Sequence, residues 1–407
     1  MMTMNELDEV ISKCLLQKLS KNVEQSENHV EYKLREDMLA SQFNTILKYI
    51  NDESESEIAP DMLSQLLILD LELQSIGPWF CELSKECSEK LNNLFENLYT
   101  FKLSTVLQHL DVDDAQLVFD ICFEDLHTKL TLEDFKKYPA LHDVYCSIVQ
   151  HIPEYNVVIN PMKIMPICLL LIDDYIVNNK LKGLKSCLII LKCLTAQNFQ
   201  GGNYYEVIYG SLNKITLDKE IDVTKLTLEC LLQLMKILPP EIKVKKLDDI
   251  FKRGLDQINT EANLYRKAAW FNFTTNLIEM QGVNCVDQKI LKSILCDNID
   301  MCCNEAVGEI LLSDVLECLE TWIKYCWCIW RFSSDQKILS TLLKLLYVSS
   351  GDEQKASKIR IVIITLVCLC TKEEQRIIYK NIEDATQQIN KPEFVSSLEI
   401  IKNSVCI

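Results

Sequence analysis

Apolar residues recur at helical spacing along nearly the whole chain, and no stretch shows the sustained alternation that would indicate a sheet. Residues 1–50 predict two helices joined by a polar segment near 22–28. The acidic stretch 51–60 has few apolar residues and predicts a loop, either a plain surface loop or a phosphorylation site. Asp61 precedes an apolar run and predicts a helix start. Asp111, Asp113 and Asp114 predict another, because short carboxylate side chains bind the free amides of a first turn. The chain is therefore predicted to be all-α.

A repeat of similar helices is visible in the second part of the chain. Four of these helices open with a basic residue, and all become strongly apolar; the openings fall at Lys180, Lys225, Arg266, Leu312 and Lys358. Successive openings lie 41 to 46 residues apart, and two-helix HEAT or armadillo units repeat at roughly 40–47 residues. One unit cannot bury its apolar stripe alone, so neighbouring units must stack. We predict an all-α, HEAT/armadillo-like helical-repeat solenoid.

Charge is distributed unevenly along the chain, whose net charge is −17. Residues 1–150 hold 28 acidic and 12 basic side chains, whereas residues 151–407 hold 31 and 30. Three prolines between 151 and 166 coincide with this change, so we predict an acidic N-terminal helical region at 1–150 and a repeat solenoid at 151–407. The first part would repel phosphate backbones, which argues against a nucleic-acid partner. Its acidic surface either steers a basic partner or is simply solvated.

The cysteine content bears on the compartment. The chain has 19 cysteines, and its first ten residues carry acidic side chains instead of the pattern of a secretory signal. Without export, disulfides are not expected, and we interpret the cysteines as small buried core residues. The most apolar stretch, 361–370, has ten residues, which is too short to cross a bilayer. We expect no membrane association and a cytoplasmic location, with the nucleus as a further compartment.

Residues that could carry chemistry form no recognisable motif. The sequence has no Gly-rich phosphate loop, no Gly-x-Ser-x-Gly elbow, no His-Glu-x-x-His and no Cys-x-x-Cys. The pair Asp173 and Asp174 could serve acid–base catalysis in a desolvated pocket, or it could cap a helix. We predict the capping role, no enzymatic activity, no metal and no cofactor. A helical enzyme or metal protein that uses its cysteines is the rival hypothesis.

An unusual aromatic segment lies at 322–332. On one helix Trp322 lies on one face, and Trp327, Trp330 and Arg331 share another, so the apolar surface extends nearly all round. Such a helix is either central in a stack or covered by a partner, and Trp and Arg are enriched at interface hot spots. Both readings stay open. With the apolar residues at 361–364, this segment predicts that 151–407 carries the main partner interface.

The stretch from Pro166 to Gly183 is the most specific in the chain. Pro166 is predicted to open a helix filled with apolar residues. Asp173, Asp174 and Tyr175 then form a turn, and Lys180 opens a second helix. Gly183 costs about 1 kcal/mol in a helix relative to Ala, and close approach of the neighbouring helix would compensate. This segment resembles the Tel-two-interacting protein two (Tti-two) family, the Tti-two subunit of the Triple-T complex.

The resemblance implies a non-enzymatic scaffold. Its partners would be the helical-repeat subunits Tti-one and Tel-two. Together these proteins would support the maturation and stability of phosphatidylinositol-3-kinase-related kinases, alongside the cytosolic heat-shock chaperone system. The turn and helix-contact residues would be structural signature positions. The alternative is a HEAT or armadillo adaptor of another pathway, such as transport or a phosphatase scaffold.

Overall fold

Every regular element in the described ranges is helical. The computed structural model describes residues 4–26, 28–52, 58–199, 202–288, 290–331 and 337–404. The central part of the predicted acidic loop, 53–57, lies outside these ranges. The α-helices are α1 Met4–Cys14, α2 Val30–Asp52, α3 Pro60–Gln74, α4 Glu82–Tyr99, α5 Val106–His109, α6 Val112–Lys129, α7 Pro139–His151, α8 Pro161–Asp173, α9 Val177–Cys193, α10 Tyr204–Ile215, α11 Ile221–Ile237, α12 Pro240–Thr260, α13 Leu264–Gln281, α14 Ile290–Met301, α15 Glu305–Arg331, α16 Lys337–Ser349, α17 Glu353–Leu369, α18 Lys372–Gln388 and α19 Pro392–Ser404.

The chain forms two compact units, Met1–Ile215 and Thr216–Ile407. In the first unit, α3 packs against α1 and α7, and α7 packs against α9. A second series runs beside it, in which α2 contacts α4, and α8 contacts α6 and α10. The predicted boundary at residue 150 marks the change in charge. The chain passes from the first compact unit to the second between residues 215 and 216.

Two parallel series of helices build the second unit. In the first, which we call the odd stack, α11, α13, α15, α17 and α19 pack successively on one another. In the second, the even stack, α12, α14 and α16 do the same. Each even helix also packs on the odd helix that follows it. The core lies between the stacks, where Phe251, Trp270 and Leu295 are fully buried.

The predicted repeat is confirmed by these stacks. The five openings, from residue 180 to residue 358, fall one each in α9, α11, α13, α15 and α17. These helices begin at residues 177, 221, 264, 305 and 353, so they recur every 41 to 48 residues. Within the second unit, the apolar stripes of α11, α13, α15 and α17 are therefore covered by the next helix of the odd stack, as stacking requires.

One predicted helix start is wrong. Pro166 lies inside α8, not at its start. The helix begins five residues earlier, because Asn160 caps it by accepting a hydrogen bond from the Met162 amide at 3.0 Å, and Pro161 occupies the first helical position. Pro166 is the sixth residue of α8, and its ring removes one internal hydrogen bond, that to the carbonyl of Met162. Likewise, α9 begins at Val177, and Lys180 lies in its first turn.

Candidate functional site

The turn between α8 and α9 holds a buried carboxylate. Asp174 is only 4% exposed, and its Oδ1 lies 2.9 Å from the Nζ of Lys136. Its Oδ2 accepts a hydrogen bond from the Asn179 side chain at 2.7 Å. Burial opposes ionisation of this carboxyl, but the bonds from Asn179 and Lys136 outweigh it and lower the pKa of Asp174 below its usual value. The carboxylate is thus a fixed ionic contact, which fits a structural role better than proton transfer at neutral pH.

Lys136 joins this turn to the N-terminal part of the chain. Its Nζ lies 3.2 Å from Glu24 and 3.6 Å from the ring centre of Tyr175. The Tyr175 hydroxyl donates to Glu24 at 2.9 Å. We call these three residues, together with Asp174, the clip. Burial disfavours the charged Lys136, but its hydrogen bonds to Asp174 and Glu24 prevail and raise the pKa of Lys136. The clip combines charge-assisted hydrogen bonds with a cation–π contact.

Asp173, the other carboxylate of the turn, has a different environment. It lies 3.2 Å from the Nζ of Lys214, and both side chains are exposed. Exposed pairs of this kind contribute little to stability, about 0–1 kcal/mol. The structure therefore does not bring the two aspartates into one pocket. Of the predicted capping role, only the backbone part is present: Asp174 is the C-cap residue of α8 through its amide, whereas neither carboxylate caps α9, whose N-cap residue is Ile176.

Gly183 lies where α9 approaches α8 closely. A Cβ atom at this position would lie 2.7 Å from the backbone nitrogen of Ile172 and 2.9 Å from the Cβ of Leu171. The Gly183 carbonyl also accepts a hydrogen bond from the Cys168 thiol at 3.1 Å. The close helix contact predicted from the sequence is thus present, and only glycine fits it without displacement of the backbone.

The aromatic segment at the end of α15 divides at a kink. Trp322 is fully buried, whereas Trp327 is 47% exposed. Between them Cys326 has non-helical angles of φ −121° and ψ 29°. The side chains of Trp330 and Arg331 lie outside the described residues. Trp322 therefore belongs to the core, and Trp327 is the described aromatic side chain of this segment that a partner could cover.

An open groove crosses the odd stack. The sequence did not predict this surface. It has a volume of about 640 Å³ and is lined by side chains of α11, α13 and α15. Its lining includes Lys225, Glu229, Tyr265, Asn272, Ile310 and Asp314. Tyr265 is 61% exposed. Burial, together with the nearby Glu317, raises the pKa of Asp314.

A second groove continues along the same stack. It has a volume of about 270 Å³ and lies on α15 and α17. Glu309 lines both grooves and is ion-paired with Lys355. Farther along α17, Ile361 is 57% exposed, whereas Val362 and Ile363 are buried. Apolar side chains and charges of both signs thus line this face over α11, α13, α15 and α17, which are neighbours in the odd stack. Apolar residues that fall on the polar side of these helices are a sequence signal for this face. The signal can be used only when the order in which the helices stack is known.

The described cysteines are mostly core residues. Cys122, Cys187 and Cys318 are fully buried. Burial raises the pKa of the Cys318 thiol to about 12 and that of Cys146 to about 11. Thiols of such high pKa are protonated at neutral pH and are poor nucleophiles and poor metal ligands. Among the described residues, no three His, Cys, Asp or Glu side chains are grouped so that they could hold a metal ion. Within the same ranges, no helix combines the length and apolar character needed to span a bilayer.

Comparison with known proteins identifies the fold. No family model matches the sequence, and no curated protein matches it either. Solved structures do match the fold of this chain. Kap121p bound to Nup53p has a TM-score of 0.53 and 10% identity, over 99% of this chain and 37% of that one. The karyopherin Kap121p bound to the SUMO protease Ulp1p gives 0.52 and 10%, over 99% and 37%. Kap95p, in a structure with RanGDP, gives 0.52 and 12%, over 98% and 47%.

These similarities concern the fold. The chain spans about 37% to 47% of the length of the structures it matches, and identities of 10–12% say nothing of shared partners. The matched structures are helical-repeat solenoids of the HEAT type, and they are binding proteins. The all-α, HEAT-like helical-repeat solenoid predicted from the sequence is therefore confirmed.

Proposed function

We propose that this protein is a non-enzymatic scaffold that binds other proteins along the odd stack. The observation that carries the proposal is the continuous pair of grooves over α11, α13, α15 and α17. Stacked repeats present long lateral surfaces of this kind, which suit extended protein partners. Tyr265 and Ile361 supply exposed apolar surface, and exposed side chains of both signs on the rim would select the partner.

More specifically, we propose that the chain is the Tti-two-like subunit of a Triple-T co-chaperone complex. The proposal is supported by the resemblance at residues 166–184 and by the roles of the signature residues. Asp174 and Tyr175 hold the clip, and Gly183 permits the contact of α8 with α9. Direct partners would then be Tti-one and Tel-two. Clients would be phosphatidylinositol-3-kinase-related kinases, handed on by the heat-shock chaperone system in the cytoplasm and in the nucleus.

Affinity purification of the tagged full-length chain from cells, followed by mass spectrometry, tests both levels of the proposal. We expect Tti-one and Tel-two among the recovered proteins. The variant Tyr265→Arg should reduce their recovery at least tenfold, because an exposed aromatic anchor in a groove is worth about 2 kcal/mol or more. Ile290→Arg is the matched control, since Ile290 is 55% exposed and lies in the even stack. It should leave recovery unchanged.

A transport adaptor is the second candidate. The matched structures include Kap121p bound to Nup53p and Kap95p with RanGDP. If the wild-type chain repeatedly recovered nucleoporins or a small GTPase and neither Triple-T subunit, the co-chaperone assignment would be wrong and transport would replace it. If Tyr265→Arg and Ile290→Arg behaved alike, the odd stack would not be the binding face.

A further inference from the structure

A pocket of about 450 Å³ opens in the first unit. It lies between the start of α3, the end of α4 and the start of α6. Its walls are apolar and include Leu63, Phe95, Tyr99, Phe101 and Val106, and its lining carries one carboxylate, that of Asp114. Binding pockets in proteins typically combine this volume with apolar walls and a few polar groups.

Three aromatic rings form one continuous wall. The ring centres of Phe95 and Tyr99 are 5.3 Å apart, and those of Tyr99 and Phe101 are 6.1 Å apart. The His109 ring stacks on Phe101, with the ring centres 4.8 Å apart. Aromatic faces carry a negative quadrupole and attract cations. The wall therefore favours a ligand that offers both apolar surface and positive charge.

Asp114 adds a full negative charge to this pocket. It lies in the first turn of α6 and is half-buried. Its backbone amide is bound by the side chain of the capping residue Asp111 at 2.9 Å, so the Asp114 carboxylate is not needed as the cap. Among the described residues, no cation lies within ion-pair distance of this carboxylate. A cationic group bound in the pocket would have this carboxylate as its ion-pair partner.

We propose that this pocket docks a basic side chain flanked by aliphatic residues in a segment of a protein partner. The inference rests on the proposed scaffold function, because it takes the ligand to be part of a protein. The aliphatic neighbours would fill the apolar volume, and the cation would lie between Asp114 and the aromatic wall. The surplus of acidic over basic side chains in residues 1–150, 28 against 12, would steer such a basic segment towards this unit.

Acetylated tripeptides Leu-Arg-Leu and Leu-Glu-Leu, titrated into the purified full-length chain, test the proposal by saturation-transfer NMR. We expect Leu-Arg-Leu to bind in the range of about 1 mM and Leu-Glu-Leu to bind at least tenfold more weakly. Asp114→Asn keeps the side-chain shape and should remove most of this discrimination. The matched control is Asp113→Asn, whose carboxylate is exposed and does not line the pocket; it should leave the discrimination intact.

Three results would overturn the inference. They are no binding of Leu-Arg-Leu, equal binding of the two peptides, or equal effects of Asp113→Asn and Asp114→Asn, which would indicate general surface electrostatics. Each of these leaves the purification experiment with Tti-one and Tel-two unaffected. Conversely, failure to recover those subunits would remove the co-chaperone proposal and would leave the peptide discrimination standing.

Discussion

Replacement of Gly183 by alanine tests the packing of the repeat at its tightest described contact in the α8–α9 pair. Alanine favours a helix over glycine by about 1 kcal/mol, so the substitution would stabilise an isolated helix. Here the new Cβ would meet the Ile172 backbone nitrogen at 2.7 Å. Backbone cannot rotate away as a side-chain end can, so the two helices must separate. Overpacking of this kind costs about 1–3 kcal/mol, and a backbone clash belongs at the upper end of that range.

After the gain in helix propensity is subtracted, we expect the free energy of unfolding to fall by about 1–2 kcal/mol. For a unit of roughly 200 residues this corresponds to a fall in Tm of about 2–8 °C. Differential scanning calorimetry of the full-length chain measures it. Gly210→Ala is the matched control, because Gly210 is exposed on α10 in the same unit and has no atom within 4 Å of the added Cβ. That variant should raise Tm by about 2–4 °C. If both variants raised Tm equally, the close approach of α8 and α9 would not constrain this position.

Three other predictions concern buried groups, each measured by urea or guanidinium denaturation. Asp174→Asn should lower the free energy of unfolding at pH 7 by about 1.5–3 kcal/mol. Folding lowers the pKa of Asp174. Its contribution to the free energy of unfolding is therefore fully present above the unfolded pKa of about 3.9 and is lost as the pH falls through the lower folded pKa. The difference in the free energy of unfolding between wild type and variant should thus shrink towards pH 3. Arg35→Met should lower the free energy of unfolding by about 3–5 kcal/mol, because it leaves the fully buried Glu72, 3.3 Å away, without its ion-pair partner. Adding Glu72→Gln should restore at least half of this loss. No restoration would contradict this account. Trp322→Ala should cost about 3–5 kcal/mol and Trp327→Ala less than about 0.5; equal losses would show that both side chains are core.

The repeat was predictable from sequence because its cause is local. The openings at Lys225, Arg266 and Lys358 mark where an apolar stripe begins on each helix, and a stripe needs a neighbour whatever the partner sequence is. The start of α8 could not be predicted in this way. Pro161 and Pro166 are both compatible with the first turn of a helix, and the cap at Asn160 decides between them.

The interaction surfaces were less predictable, since they depend on which helices meet. Trp322 and Trp327 have similar apolar sequence surroundings, and only the position of α13 and the kink at Cys326 bury one of them and expose the other. The clip was equally invisible, because nothing near Asp174 in sequence points to Lys136 or Glu24. Charged contacts across long sequence separations leave no periodic signal in either segment.

The clip also sets the order in which a nascent chain can mature. The Tyr175 hydroxyl and Glu24 are 151 positions apart, whereas most helices contact a neighbour within one repeat. At translation rates of about 5–20 residues per second, the ribosome needs about 8–30 s to supply the second partner after the first. Until then Glu24 lacks this partner, so the clip closes only after all the helices between its two ends have been synthesised.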